Sequence, residues 1–183
     1  MRTTVVLGRA VLLAGVLIAA GCSSSRAYFR PAETTVVETV DRVVGAEYQL
    51  GAGAKRSGEL RVWCLEAHIE RDHPTAVDVS IEVENSSSSE LRLLGSEITL
   101  QDVEVRGARL GPVNDPEARL VVIPPNRVIR SDFRFLLPKD VRPRDIHSFR
   151  IAWVVEGDDK AQFRQQTTFV RGRASYGTYG SYG

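Results

Sequence analysis

Val77, Val79, Ile81 and Val83 alternate with Asp78, Ser80, Glu82 and Glu84. A period of two puts the first set on one side of a β-strand and the second on the other, whereas on a helix the same residues would scatter around the axis. This stretch therefore predicts a strand with one apolar and one acidic face. Weaker versions of the pattern fill the rest of the chain. Leu60, Val62 and Cys64 share one parity and Leu65, Ala67 and Ile69 the other, which places a bulge near Cys64 or a strand buried on both faces. Leu91, Leu93 and Leu94 lead to a strand over 97–100, and Val103 and Val105 lie on the opposite parity, so Gln101-Asp102 bends. Leu120 to Ile123 is extended and is stopped by Pro124-Pro125, which cannot donate to a ladder.

Phe133, Phe135 and Leu137 share a face of a strand over 128–137, opposite Asp132 and Arg134. Ile151, Trp153 and Val155 point one way from the next strand, and a turn at Gly157-Asp158-Asp159-Lys160 leads to the strand of Phe163 and Phe169. About seven short strands, turn signals every 8–15 residues and almost no helical periodicity predict an all-β antiparallel sandwich with each sheet solvated outside. Trp153 shares the parity of its apolar neighbours and is expected in the core. Trp63 sits beside the change of parity, which leaves its side open.

The N-terminus follows a different rule. Val11 to Ala20 is an apolar run of ten residues behind Arg2 and Arg9. That is far short of the roughly 20 apolar residues a spanning helix needs. A basic start, a short apolar run and a small-residue site make the plan of a secretory signal peptide. The run ends Ile18-Ala19-Ala20-Gly21-Cys22. This ending resembles the lipobox of bacterial lipoproteins, with Ala19 where Leu is commoner. The resemblance implies cleavage before Cys22, diacylglycerol on its sulfur and a further acyl chain, of the palmitate kind, on its amine. Several chains hold a protein to a bilayer stably, whereas one does so only marginally. Ser23 in place of Asp favours, in the Gram-negative members, the outer membrane facing the periplasm.

The expected organisation is a signal peptide over 1–21, a tether with a short helix or first strand over 22–45, a sandwich over 46–171 and a flexible tail over 172–183. The tether reading rests on SSSRAYFRPAE, which has small polar residues, Pro31 and no period. Val36, Val37, Val40, Val43 and Val44 recur at helical spacing, yet β-branched residues favour strands. Gly45 to Gly58 reads as loop around a short extended piece at Tyr48 to Leu50. The tail repeats Tyr-Gly three times, too little to build a core.

Charge and cysteine content narrow the chemistry. Without Arg2 and Arg9 the 24 basic residues fall to 22 against 23 acidic ones, a balance that carries no electrostatic footprint for nucleic acid. With Cys22 acylated, Cys64 has no partner within the chain, and its ordinary role is that of a buried strand residue. Glu66, His68 and Glu70 share a strand face, with His73 nearby, so a divalent metal site is the sharpest alternative. No C-x-x-C, H-x-H or H-E-x-x-H accompanies them, and no G-x-S-x-G elbow pairs a serine with a base. No catalytic residue and no cofactor is assigned, and the only attachment residue assigned is the lipid site Cys22.

VDVSIEVENSSSSELRL (77–93), ITL (98–100), VIPPNRVIRSDFRFLLP (122–138) and FRIAW (149–153) follow one another in an order that resembles bacterial lipoproteins of unknown function with an immunoglobulin-like, telokin-like domain. The resemblance covers about half the chain after Gly21. It implies an immunoglobulin-like β-sandwich, export, membrane lipid as one partner through Cys22, and a protein of the cell envelope as another. The expected function is a non-enzymatic binding or assembly module, with a metal-binding or enzymatic protein using the Glu66/His68/Glu70/His73 face as the alternative. Partner contacts are expected on the loops Asn85–Ser89, Gly107–Glu117 and Pro138–Asp145, not on the acidic face of Asp78, Glu82 and Glu84.

Overall fold

The computed structural model describes residues 26–32, 35–52, 55–69, 74–157 and 160–172. Cys22, the signal stretch, Glu70, His73 and the Tyr-Gly repeats lie outside the described residues. The strands in chain order are β1 (Arg26–Ala27), β2 (Phe29–Pro31), β3 (Val36–Glu38), β4 (Val44–Ala52), β5 (Lys55–His68), β6 (Ala76–Asn85) and β7 (Leu91–Leu94). They continue as β8 (Thr99–Val105), β9 (Ala108–Leu110), β10 (Val113–Asn114), β11 (Leu120–Ile123), β12 (Arg127–Leu136), β13 (Ile146–Glu156) and β14 (Gln162–Arg171). Short 3₁₀ turns at Gly95–Glu97 and Pro143–Asp145 are the helical elements among the described residues.

The chain is all-β, and its antiparallel strands form two sheets packed as a sandwich. Sheet A has the order β12-β6-β5-β4-β3, with β1 added to the far end of β5. Sheet B has the order β10-β8-β13-β14-β2, with β7 joined to β13, β11 joined to β7 and β9 hairpinned onto β8. Sheet A turns Leu60, Val62, Val77, Val79, Ile81 and Phe135 inward, and sheet B meets them with Leu93, Leu100, Phe149, Ile151, Trp153 and Phe169. All of these are essentially solvent-free. Burying one such aliphatic or aromatic side chain contributes roughly 1.5–3 kcal/mol, and this two-sheet core is the main stabilising force. Phe149 packs against Phe29 edge-on and stacks on Phe169, with ring centroids 4.9 and 5.2 Å apart.

The long alternating stretches fold as their pattern dictates. The change of parity after Cys64 is a bulge, with the β5–β6 register shifting between Cys64 and Glu66. The bend at Gln101-Asp102 is also present. Asp102 takes a left-handed φ of 48°, and β8 slips against β13 beside it. Two expectations need correction. The stretch read as tether belongs to the domain from Arg26 onward, because Ala27, Phe29 and Pro31 alternate inward and are buried. Gly45 to Gly58 is mostly strand, since β4 and β5 form a hairpin whose ladder runs from Ala46↔Val62 to Ala52↔Lys55. The valines at helical spacing do not form a helix. Val36–Glu38 is an edge strand, and Val40 lies 69% exposed on a turn. Their β-branching decides the outcome.

Gly107–Glu117 is likewise more ordered than a loop, because β9 and β10 both pair with β8. Among the described residues the strand count rises from about seven to fourteen through such two- to four-residue pieces, which have too little length to show a period.

Candidate functional site

The outward face of sheet A carries the acidic row of β6, and neighbouring strands bring arginines to it. Glu47 on β4, Arg61 on β5 and Glu82 on β6 stand on one cross-strand rung. The Arg61 guanidinium donates to Glu47 at 2.9 Å, to Glu59 at 2.9 Å and to Glu82 at 3.0 Å, with Glu84 at 3.8 Å. Hydrogen bonding to Glu47 leads the effects on Arg61, partly opposed by burial, and the net result holds its pKa above the usual arginine value. Two rungs further, past Ser80, Arg134 on β12 donates to Asp78 at 2.8 Å. The solvated face expected from the alternation is therefore an ion-pair lattice. Partly exposed pairs of this kind contribute little each, roughly 0–1 kcal/mol, and their geometry mainly disfavours other registers.

Trp63 lies on this outward face, paired with Ser80, and is nonetheless fully buried. The turn between β3 and β4 folds over it. Thr39 closes that turn through Val43, and Arg42 takes a φ of 57° to complete it. A Cβ at Gly45 would lie 2.7 Å from the Thr39 methyl and 3.3 Å from the Trp63 Cβ, so the glycine permits this close packing. The Trp63 Nε1 donates to Asp41 at 2.9 Å. Arg130 crosses the ring at 5.1 Å from its centroid and donates to the same Asp41 carboxylate at 2.8 Å. Burial opposes the Arg130 charge, and the hydrogen bonds to Asp41 and Asp132 outweigh it, leaving its pKa raised.

Trp153 has the interior position its parity predicts. Its Nε1 donates to Thr167 Oγ1 at 3.2 Å, and Tyr48 packs edge-on at 5.1 Å between centroids. Cys64 is a free thiol in the core. Burial first, and then the charges of Asp78 and Glu66, push its pKa far above the usual thiol value, so it stays protonated and unreactive.

Glu66 and His68 share the outward face of β5, as their spacing predicts. The His68 Nδ1 is 3.6 Å from Glu66 and 3.4 Å from Asp78. Glu70 and His73 lie outside the described residues. Among the described residues no group of three or more His, Cys, Asp or Glu side chains is placed to hold a metal ion.

A cleft of about 740 Å³ opens where residues 115–119 lie beside the edge strand β12. Phe133, Leu136, Pro116 and Val121 give it apolar walls, and Asp78, Asp132 and Arg119 stand at its polar margin. Asp115 builds it. One carboxylate oxygen accepts from the backbone N–H of Arg134 at 2.9 Å and the other accepts from Glu117 N–H at 2.8 Å. Because the Arg134 N–H points away from β6, the backbone groups of Arg130, Asp132 and Leu136 face the same outer edge. Among the described residues, β6 is the one strand paired with β12. The sequence marked Asp115-Pro116 as a turn, but its contact with Arg134 spans nineteen positions and leaves no local signal.

The three segments expected to carry binding do not converge. Asn85–Ser89 is at one end of the sandwich, where the Asn85 amide donates to the carbonyls of Ser89 and Ile123 and locks the bend. Pro138–Asp145 is at the other end, where the turn at Gly107 meets it through the 2.7 Å Arg106–Asp145 pair, and the latter part of Gly107–Glu117 forms the cleft wall.

No family model matches the chain, and no curated protein matches it. Two solved structures are similar in part. The Northeast Structural Genomics Consortium target SoR45 has 14% identity and a TM-score of 0.42, covering 61% of this chain and 84% of that one. A FixG-related protein from Vibrio parahaemolyticus has 9% identity and a TM-score of 0.36, covering 64% of this chain and 98% of that one.

Proposed function

We propose that this chain is a lipid-anchored protein of the cell envelope, held by acylated Cys22 to the periplasmic side of an outer membrane. Its sandwich, of the immunoglobulin-like kind, binds an extended segment of a protein partner without catalysing a reaction. The observation that carries the binding half is the cleft beside β12, where apolar walls lie next to the edge of the strand that faces away from β6. A peptide that adds to such an edge gains main-chain hydrogen bonds, and flanking pockets select its side chains. The anchoring half rests on the arginines, short apolar run and Ala-Gly-Cys ending of residues 1–22.

The test uses the full chain in native membranes with a photoreactive residue at Pro116 or at Leu136. A discrete crosslinked species from both positions, absent when the probe is at Gln166 on the opposite sheet face, is the expected result. Leu136→Glu should reduce that crosslink at least about tenfold, because a charge then occupies the apolar wall. Equal labelling from all three positions would remove the cleft as the binding site. Intact-mass measurement of the same material reads the acylation of Cys22 separately, and Cys22→Ala should yield a precursor without the lipid mass.

A further inference from the structure

The two ends of the sandwich carry different charge. The strands that start or finish beside β1 bring Arg26, Arg30, Arg106 and Arg171 to one end. The segment leading into β13 adds Lys139, Arg142 and Arg144 there. Arg171 donates to the carbonyls of Arg144 and Pro143, which ties the β14 end to that segment. The acids at this end are Glu66, paired with Arg26 at 3.6 Å, Asp78 on the same rung, paired with Arg134 at 2.8 Å, Asp145, paired with Arg106 at 2.7 Å, and Asp140. Hydrogen bonding to Arg106 holds the Asp145 carboxyl below its usual range, so this acid stays ionised and its charge is already matched. Four positive charges remain in excess among the described residues. At the opposite end Arg56, Arg92, Arg127 and Lys160 face Glu84, Glu90 and Glu156, which is close to balance.

The basic end is also the end at which the chain enters the fold. Arg26 is four residues beyond Cys22, and four residues span at most about 14 Å. We propose that this end of the sandwich rests on a bilayer surface of anionic phospholipid headgroups, with Arg30, Lys139, Arg142 and Arg144 as the contacting side chains. All four are exposed. The orientation, though not the headgroup chemistry, rests on the Cys22 anchor proposed above. One basic residue near an anionic membrane strengthens binding by about fivefold at low screening, so a patch of four adds to the hold of the acyl chains and selects which end of the sandwich meets the surface. The docking leaves the β12 cleft and the acidic face of sheet A clear, because both lie along the flank of the sandwich.

The experiment uses the chain from Ser23 onward, which keeps every described strand and carries no lipid. It is floated with vesicles of equimolar phosphatidylglycerol and phosphatidylcholine, or of phosphatidylcholine alone. The expected result is at least about tenfold tighter binding to the anionic vesicles, lost at high salt. Lys139→Glu, Arg142→Glu and Arg144→Glu together should abolish the preference, while Arg92→Glu with Arg127→Glu at the far end should keep it. Circular dichroism of each variant separates loss of binding from loss of fold. Equal binding to both vesicles, or equal loss in both variants, overturns the proposal. So does retention on single-stranded DNA without preference for anionic vesicles, which would make the patch a general polyanion site. Acylation of Cys22 is read by mass on the full-length chain, so a missing anchor and a missing headgroup contact give separate results.

Discussion

The two tryptophans are equally buried for opposite reasons. Trp153 is shielded by the apolar interior, by Tyr48 and by the stacked sheets. Trp63 points away from that interior and is shielded by a turn, an arginine and a carboxylate. The first site is closed by the hydrophobic effect, which is insensitive to the detailed position of any one neighbour. The second is closed by directional contacts that fail together when one partner is removed. Low exposure alone therefore does not identify core.

Three substitutions test that contrast, beginning with the largest effect. Trp153→Ala should destabilise the domain by about 3–5 kcal/mol in urea unfolding, the usual cost of emptying a large interior site. A loss below about 1 kcal/mol would mean that the interior does not depend on this ring. Asp41→Ala removes the acceptor for both Trp63 and Arg130 and should cost about 1–3 kcal/mol. In a Trp153→Phe background it should also shift the remaining emission to the red, because the cover over Trp63 opens. Emission that stays blue would show that Trp63 is closed by the sheet itself and would erase the distinction. Glu82→Gln should cost less than about 1 kcal/mol, since Arg61 keeps Glu47 and Glu59. A loss as large as that of Asp41→Ala would make the ion-pair lattice, and not the turn, the main organiser of this face.

Sequence periodicity reached as far as single strands extend. β6, β12 and β13 each offer ten or eleven residues of pattern, and their inward sides and the position of Trp153 could be read directly, while the change of parity at Cys64 left a bulge and a doubly buried strand both open. β1 and β2 offer five residues between them, and three alternating positions cannot be told from chance. The acidic face was legible as composition, but its neutralisation was not. Arg61, Arg130 and Arg134 meet Glu82, Asp41 and Asp78 across strands whose register no local pattern reveals. The cleft was hidden for the same reason, since it requires Asp115 to find an amide on the far side of β11.

The first two strands have a mechanical consequence. β1 enters alongside β5 in sheet A, and β2 then pairs with β14 in sheet B, both running inward from the same end. Gly172 N–H closes on the Tyr28 carbonyl between them, and Ala32 N–H closes on Thr168 beyond. Tension applied at the N-terminus therefore acts along the strand axes and shears both ladders at once, where an edge peeled sideways would release one hydrogen bond after another. A seven-residue clip thus shares the load between both halves of the sandwich, and the force at which the domain gives way is set by how fast that clip slips.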